Sequence, residues 1–167
     1  MPVVGNGDLA RLIGDPVLKR LYYQHLDDLL SRAYTTTWLG PWCTQLGALL
    51  PGQDFAAHCR FVDERAAWVR SGASDSVERS FPALPFAITT ADGLVLDTPA
   101  FTLEGEGWID VRTVERDGVT QPLTWVDGQR WQLPLTLVEG ENVVELVARS
   151  IAGAEVGRDR VSVLYAP

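Results

Sequence analysis

The sequence predicts an α+β protein in which a short helical bundle segment, residues 1–83, packs against a C-terminal β-sandwich, residues 84–167. Two observations carry this. Before Pro82-Ala83-Leu84-Pro85 apolar residues recur every three or four positions; beyond it they alternate every second position between Asp-Gly, Glu-Gly and Gly-Glu turns. Charge is also unevenly divided between the halves. Residues 1–83 hold nine acids and eight bases, whereas residues 84–167 hold thirteen acids and six bases, so nearly all of the net charge of -8 lies on the β half. Such a module repels phosphate backbones, which argues against a nucleic-acid partner. With 46% hydrophobic and 22% charged residues, the composition is that of a folded chain.

Asp15-Pro16 starts a helix, because Asp accepts from free amide groups and Pro suits the first helical position. Leu18, Leu21, Tyr22, His25, Leu26, Leu29 and Ala33 trace its expected apolar stripe. A shorter turn over residues 8–13 precedes it and stops at Gly14. Thr36 or Thr37 is expected to cap a second helix with Trp38, Leu39, Trp42, Leu46 and Leu49 inward. Pro51-Gly52 breaks it, and Asp54 caps a third whose stripe is Phe55, Cys59, Val62, Ala66 and Val69. A polar loop, Ser71–Ser76, leads to a last helical turn ending at Ser80. Three such helices form a small core by themselves, so the β half or a further segment is expected to complete it. Phe61 and Trp68, one heptad apart, make a second stripe. It is expected to meet the sandwich together with Phe81 and Phe86, giving one rigid unit with a single unfolding transition.

In the β half Phe86–Thr90 reads as a first strand. Alternation then marks Phe101–Glu104, Trp108–Glu115, Gln121–Val126, Gln129–Val138, Val143–Ser150 and Val161–Tyr165. Six or seven short strands at this spacing suggest a sandwich. Around Asp127-Gly128 a three-residue loop with a left-handed Gly128 would pair Leu123 with Trp131. It would gather Leu123, Trp125, Trp131, Leu133, Leu135 and Leu137 on one face. Burying one large side chain contributes about 1.5–3 kcal/mol, which favours that register over a two-residue turn.

Few residues invite chemistry. Cys43 and Cys59 each lie eight positions from Pro51, so a helical hairpin turning there sets them at one height. In an oxidising compartment they would form a disulfide contributing about 3 kcal/mol; in a reducing one they would be two buried thiols. The bridge is the favoured reading. His25 and His58 lack the paired-ligand spacing of a zinc module and read as packing residues, so no metal and no cofactor is expected. Ser31, Ser71, Ser74 and Ser76 have no nucleophile-elbow context. Glu104, Glu106 and Asp110 form an acidic group that reads as solvated turn residues, and no catalytic residue is assigned. Trp108, beside Asp110, is the one candidate ligand contact, where a sugar ring could stack. No apolar run approaches the roughly 20 residues that span a bilayer, and Met1–Gly14 lacks the pattern of a secretion signal.

Residues 9–69, through "LARLIGDPVLKRLYYQHLDDLL", "AYTTTWLGPWCTQLGALL" and "FVDERAAWVR", resemble the C-terminal helices of the spore-coat CotH kinase-like family. In that family such helices follow the catalytic core, whose nucleotide- and metal-binding residues have no match here. Lys19, the only lysine, falls on a predicted helix rather than on a phosphate-holding strand. The run "WQLPLTLVEGENVVELVARSIAG" with "VSVLY" resembles bacterial immunoglobulin-like modules appended to carbohydrate-active and cell-surface proteins. Together the resemblances imply a non-catalytic C-terminal portion of an exported CotH-like protein, extracellular or on the cell surface. Its role would be structural or a surface interaction module. Its partner would be a protein or the upstream kinase-like core, with carbohydrate bound through Trp108 and Asp110 as the alternative. An enzyme subunit completed by another chain is a third reading.

Overall fold

The computed structural model describes residues 7–167, with the side chains of residues 8, 9 and 12 left aside. Helices α1 (Gly7–Gly14), α2 (Pro16–Asp28), α3 (Thr36–Leu49), α4 (Phe55–Ala67) and α5 (Val77–Ser80) are followed by nine strands. The chain forms two compact units. One comprises residues 7–10 and Leu21–Pro82; the other comprises Arg11–Arg20 with Ala83–Pro167. The division falls inside α2, between Arg20 and Leu21.

The helix starts follow local chemistry. Asp15 Oδ1 accepts from Val17 N at 2.9 Å and Leu18 N at 3.0 Å, capping α2. Asp54 caps α4 through Ala57 N at 2.8 Å. The cap of α3 is Thr35, ahead of the expected Thr36 or Thr37: its backbone is extended and its Oγ1 accepts from Trp38 N at 3.2 Å. Each of α2 and α4 runs on into a π-helical turn, Leu29–Ala33 and Trp68–Gly72.

The faces differ from expectation. On α2 the buried residues are Arg20, Tyr23 and Gln24, while Leu18, Leu21, His25 and Leu29 are exposed. Hydropathy assigns Arg20 and Gln24 to water, and only tertiary partners can bring such groups inside. On α3 no residue is buried: of the expected inward set, Trp38, Trp42, Leu46 and Leu49 are exposed and Leu39 is half-buried. The stripe on α4 is right, with Val62 buried and Phe55, Cys59, Ala66 and Val69 half-buried. Phe61 and Trp68 are 58% and 40% exposed, against the expectation of a buried second stripe. Arg65 lies over the Trp68 ring at 4.1 Å, covering part of it by cation–π contact.

The buried centre of the helical unit is tied by Tyr23. Its ring meets Phe81 at 5.2 Å, its hydroxyl donates to Asp75 O at 2.8 Å and it accepts from Ser80 Oγ at 2.9 Å. Burial raises its pKa, with the Ser80 hydrogen bond working in the opposite direction. Tyr23→Phe is expected to cost about 1 kcal/mol, since it removes a part-buried hydrogen bond to the Asp75 carbonyl and the acceptor of Ser80 Oγ. Urea denaturation of the two proteins measures this, and equal midpoints would rule it out.

The β-strands form two sheets, a four-stranded one in the order β1-β3-β7-β6 and a five-stranded one in the order β2-β9-β8-β4-β5. The first comprises β1 (Ala87–Ile88), β3 (Ala100–Glu106), β7 (Arg130–Thr136) and β6 (Thr124–Trp125). The second comprises β2 (Leu94–Leu96), β9 (Glu155–Tyr165), β8 (Gly140–Arg149), β4 (Thr113–Arg116) and β5 (Val119–Thr120). Inward residues of both sheets make one core, including Leu103, Trp131 and Leu133 from the first and Val114, Leu146 and Val163 from the second. The fold is therefore a β-sandwich.

Several strand expectations are corrected. Among the described residues nine strands replace six or seven. The three-residue β2, parallel to β9, carries too short a pattern to be seen in sequence. The last strand begins at Glu155 rather than Val161, and the stretch from Trp108 is a loop until Thr113. The β6–β7 hairpin pairs Trp125 with Trp131, not Leu123 with Trp131. Gly128 is not left-handed. The loop is set instead by Asp127, whose Oδ1 accepts from Gln129 N at 2.8 Å and Arg130 N at 2.7 Å. The apolar set still gathers on the core face, because the two registers differ by two residues and a shift of two preserves sidedness. The Asp117-Gly118 turn between β4 and β5 does have both residues left-handed, at φ 53° and 76°.

Asp127 links the β6–β7 loop to pH. Burial opposes its ionisation, but the amides of Arg130 and Gln129 and the Arg130 side chain outweigh it and hold the carboxyl below the usual range. A carboxyl with a lowered folded-state pKa adds stability above its unfolded value, near 3.9, and loses it as pH falls through the folded value. Asp127→Ala is expected to destabilise the sandwich at pH 7 and to flatten its stability profile below about pH 4. Parallel acid titrations of the melting temperature that keep the parent's slope would refute this.

Pro134 sits inside β7, where a proline normally interrupts a ladder. Val126 N donates to Arg130 O, so Arg130 turns its polar groups toward β6, and Gln132 and Pro134 follow by the period of two. β6 ends before Pro134 is reached, so its missing N–H falls on an open edge and costs no ladder bond.

Candidate functional site

Cys43 on α3 and Cys59 on α4 are joined by a disulfide, with their Cα atoms 6.7 Å apart. The link closes the α3–α4 hairpin around residues 50–54. His58 and His25 are exposed, and His58 Nδ1 lies 2.9 Å from Asp54 O. Among the described residues no group of three His, Cys, Asp or Glu side chains could hold a metal ion. Ser31 accepts from Arg70 Nη2 at 3.0 Å, Ser71 Oγ bonds the Ala67 carbonyl at 3.3 Å, and buried Ser76 caps α5. These serines serve helix ends and packing. Glu104 lies on β3 and accepts from Gln132 Nε2 at 2.8 Å, with Glu106 further along the same strand. Asp110 lies in the 107–112 loop, away from any strand.

Trp108 and Asp110 are both half-buried. The Trp108 carbonyl accepts from the Arg20 guanidinium, and Val111 N donates to the same carbonyl at 3.2 Å. The loop that was expected to be a strand is thus a turn held from inside. Nearby, between β4, β5 and β6, is a cavity of about 90 Å³ lined by Arg112, Thr113, Gln121 and Trp125. It is well below the roughly 300 Å³ at which ligand clefts begin.

The surface feature that stands out is apolar and lies on the helices. Trp38, Trp42, Leu46 and Leu49 recur at spacings of four, four and three along α3, which places them on one side of the helix. Both tryptophans are 56% exposed and Leu49 is 74% exposed. Leu50 follows in the turn, and Phe61 is exposed on α4. Single exposed apolar residues are ordinary; a helical stripe of two indoles and two leucines is the usual content of an interface. Sequence periodicity identified the stripe correctly but gave it to the protein's own core, because periodicity reports that a face is apolar and not what covers it.

No protein-family model matches the chain, and no curated protein does. Among solved structures, the fibronectin(III)-like modules of Clostridium thermocellum CbhA are similar over 49% of this chain and 99% of theirs, at 12% identity and a TM-score of 0.34. The Bacteroides ovatus protein SGBP-B, from a mixed-linkage glucan utilization locus and solved with a heptasaccharide, is similar over 46% of this chain at 16% identity and TM-score 0.33. This chain spans 22% of that one. A chimeric titin Z1Z2 is similar over 52% of this chain and 92% of its own, at 14% identity and TM-score 0.31.

Proposed function

We propose that the chain is a non-catalytic interaction module, in which the sandwich is a rigid body and the α3 stripe is the surface that receives another protein. The observation that carries this reading is the exposure of Trp38, Trp42, Leu46 and Leu49 on one helical face. Tryptophan is enriched among residues that dominate binding energy, and its burial by a partner removes the exposed apolar area. The resemblance of residues 9–69 to the helices that follow a CotH kinase-like core supports a kinase-like core as that partner, and an exported or cell-surface setting for both. The disulfide between Cys43 and Cys59 is consistent with an oxidising compartment. An immunoglobulin-like character for the sandwich belongs to the same reading.

The test is titration of the chain with a recombinant CotH-family catalytic core lacking its own C-terminal helices, followed by calorimetry. Binding is expected, and Trp38→Gln with Trp42→Gln should weaken it at least about 100-fold, as loss of two interface anchors does. The same variant should keep the parent's melting temperature, since neither ring is buried. No binding, or binding indifferent to the two substitutions, would reject the surface. The chain alone, incubated with labelled ATP and magnesium or manganese, is expected to transfer no phosphate. Labelling that survives repurification would instead make it an enzyme.

A further inference from the structure

We propose that the loop end of the sandwich is a guanidinium-binding site, which the chain fills in cis with Arg20. Arg20 is 1% exposed, although arginine is among the residues least often buried. Its Nη1 donates to Gly107 O at 3.1 Å and to Gly128 O at 2.7 Å. Its Nη2 donates to Trp108 O and to Val111 O, the latter at 3.4 Å. The guanidinium carbon lies 3.3 Å from the centre of the Trp125 ring. Four backbone carbonyls from two loops therefore surround the edge of a flat cation whose face rests on an indole.

The shape selects a guanidinium over an ammonium. A guanidinium is planar, presents its donors as a fork and is weakly hydrated, so it can stack and bond at its rim together. A lysine ammonium offers three donors from one point and cannot reach acceptors in two loops while lying against a ring. The carbonyls come from consecutive and near-consecutive residues at 107, 108 and 111, and from 128 in the Asp127 turn. Gly107 contributes by what it lacks: a Cβ there would stand 3.3 Å from Phe86 and Val111 and 3.4 Å from Trp125. Burial lowers the Arg20 pKa to about 9, Arg112 adds to this, and Asp110 and Asp127 act against it. The group thus stays charged at neutral pH while losing its water. Among the described residues its Nε has no hydrogen-bond partner, so the site recognises the fork and the face of the ion rather than its stem.

Arg20→Ala in the full chain is the test, because it removes the side-chain cation but leaves the four carbonyls and the ring. The melting temperature of the sandwich is expected to fall by at least about 5 °C. About 10 mM methylguanidinium should restore part of that loss in the variant and leave the parent unchanged, since a ligand stabilises only a vacant site. Methylammonium at the same concentration should restore nothing. Arg20→Lys should melt with the alanine variant rather than with the parent. If Arg20→Ala does not fold, refolding in methylguanidinium should recover it where methylammonium does not. In the unaltered protein, the Arg20 side-chain N–H signals should be shifted by the Trp125 ring current and slow to exchange. Equal rescue by methylammonium, no rescue, a parent-like lysine variant, or freely exchanging Arg20 signals would each overturn the assignment.

Discussion

Trp131→Ala is expected to destabilise the sandwich by about 3–5 kcal/mol, the range for deleting a fully buried indole. Trp131 is 1% exposed and lies at the centre of the core, with the Phe86 ring stacked on it at 5.4 Å and 12° between planes. Space for this pair is made by glycines. A Cβ on Gly105 would stand 2.0 Å from the Trp131 ring and 2.4 Å from the Ala87 carbonyl, and one on Gly157 would stand 2.6 Å from Phe86. Gly105→Ala should therefore destabilise by about 3 kcal/mol or more, since part of the clash is with backbone that cannot swing aside. Trp131→Phe should cost much less than Trp131→Ala, because the indole Nε1 is buried without a hydrogen-bond partner and its loss forfeits nothing polar. Guanidinium chloride denaturation followed by the sheet signal in circular dichroism measures all three. A loss under about 1 kcal/mol for Trp131→Ala would mean that the stack is not the core of the fold.

Reduction of the Cys43–Cys59 disulfide is expected to cost the helical hairpin about 3 kcal/mol, for a bridge between cysteines separated by 16 residues. The consequence should be concentrated in α3. That helix has no buried residue and contains Pro41, which removes one of its hydrogen bonds, while it packs along α4 with half-buried residues such as Leu39, Cys43 and Gly47. The disulfide is then the covalent tie that holds this partly exposed packing of α3 on α4 in register. In the Cys43→Ser, Cys59→Ser variant, amide exchange over residues 36–49 should approach that of a frayed helix, while the strands keep their protection. Undiminished protection of α3 in this variant would show that other contacts hold it. Alkylation of unfolded, unreduced protein followed by mass measurement gives the state of the two thiols directly.

What the sequence determined by itself is local and covalent. Asp15 and Asp54 cap helices because a short carboxylate reaches free amides two or three residues on, and this is decided within a few residues of chain. Asp117-Gly118 forms its turn for the same reason of proximity. Alternation at Leu133, Leu135 and Leu137 fixed which side of β7 enters the core, since the period of two is a property of the strand. Spacing about Pro51 set Cys43 and Cys59 at one height. The tertiary structure decided everything that depends on a distant partner. Periodicity put Leu18, Leu21, Trp38 and Trp42 inside, yet they face outward, and Arg20 and Gln24 are buried in their stead. A buried arginine becomes stable only when carbonyls at 107, 108, 111 and 128 converge on it, more than eighty residues away. Hydropathy registers the cost of removing a charge from water; the compensating hydrogen bonds exist only once the loops have been brought together.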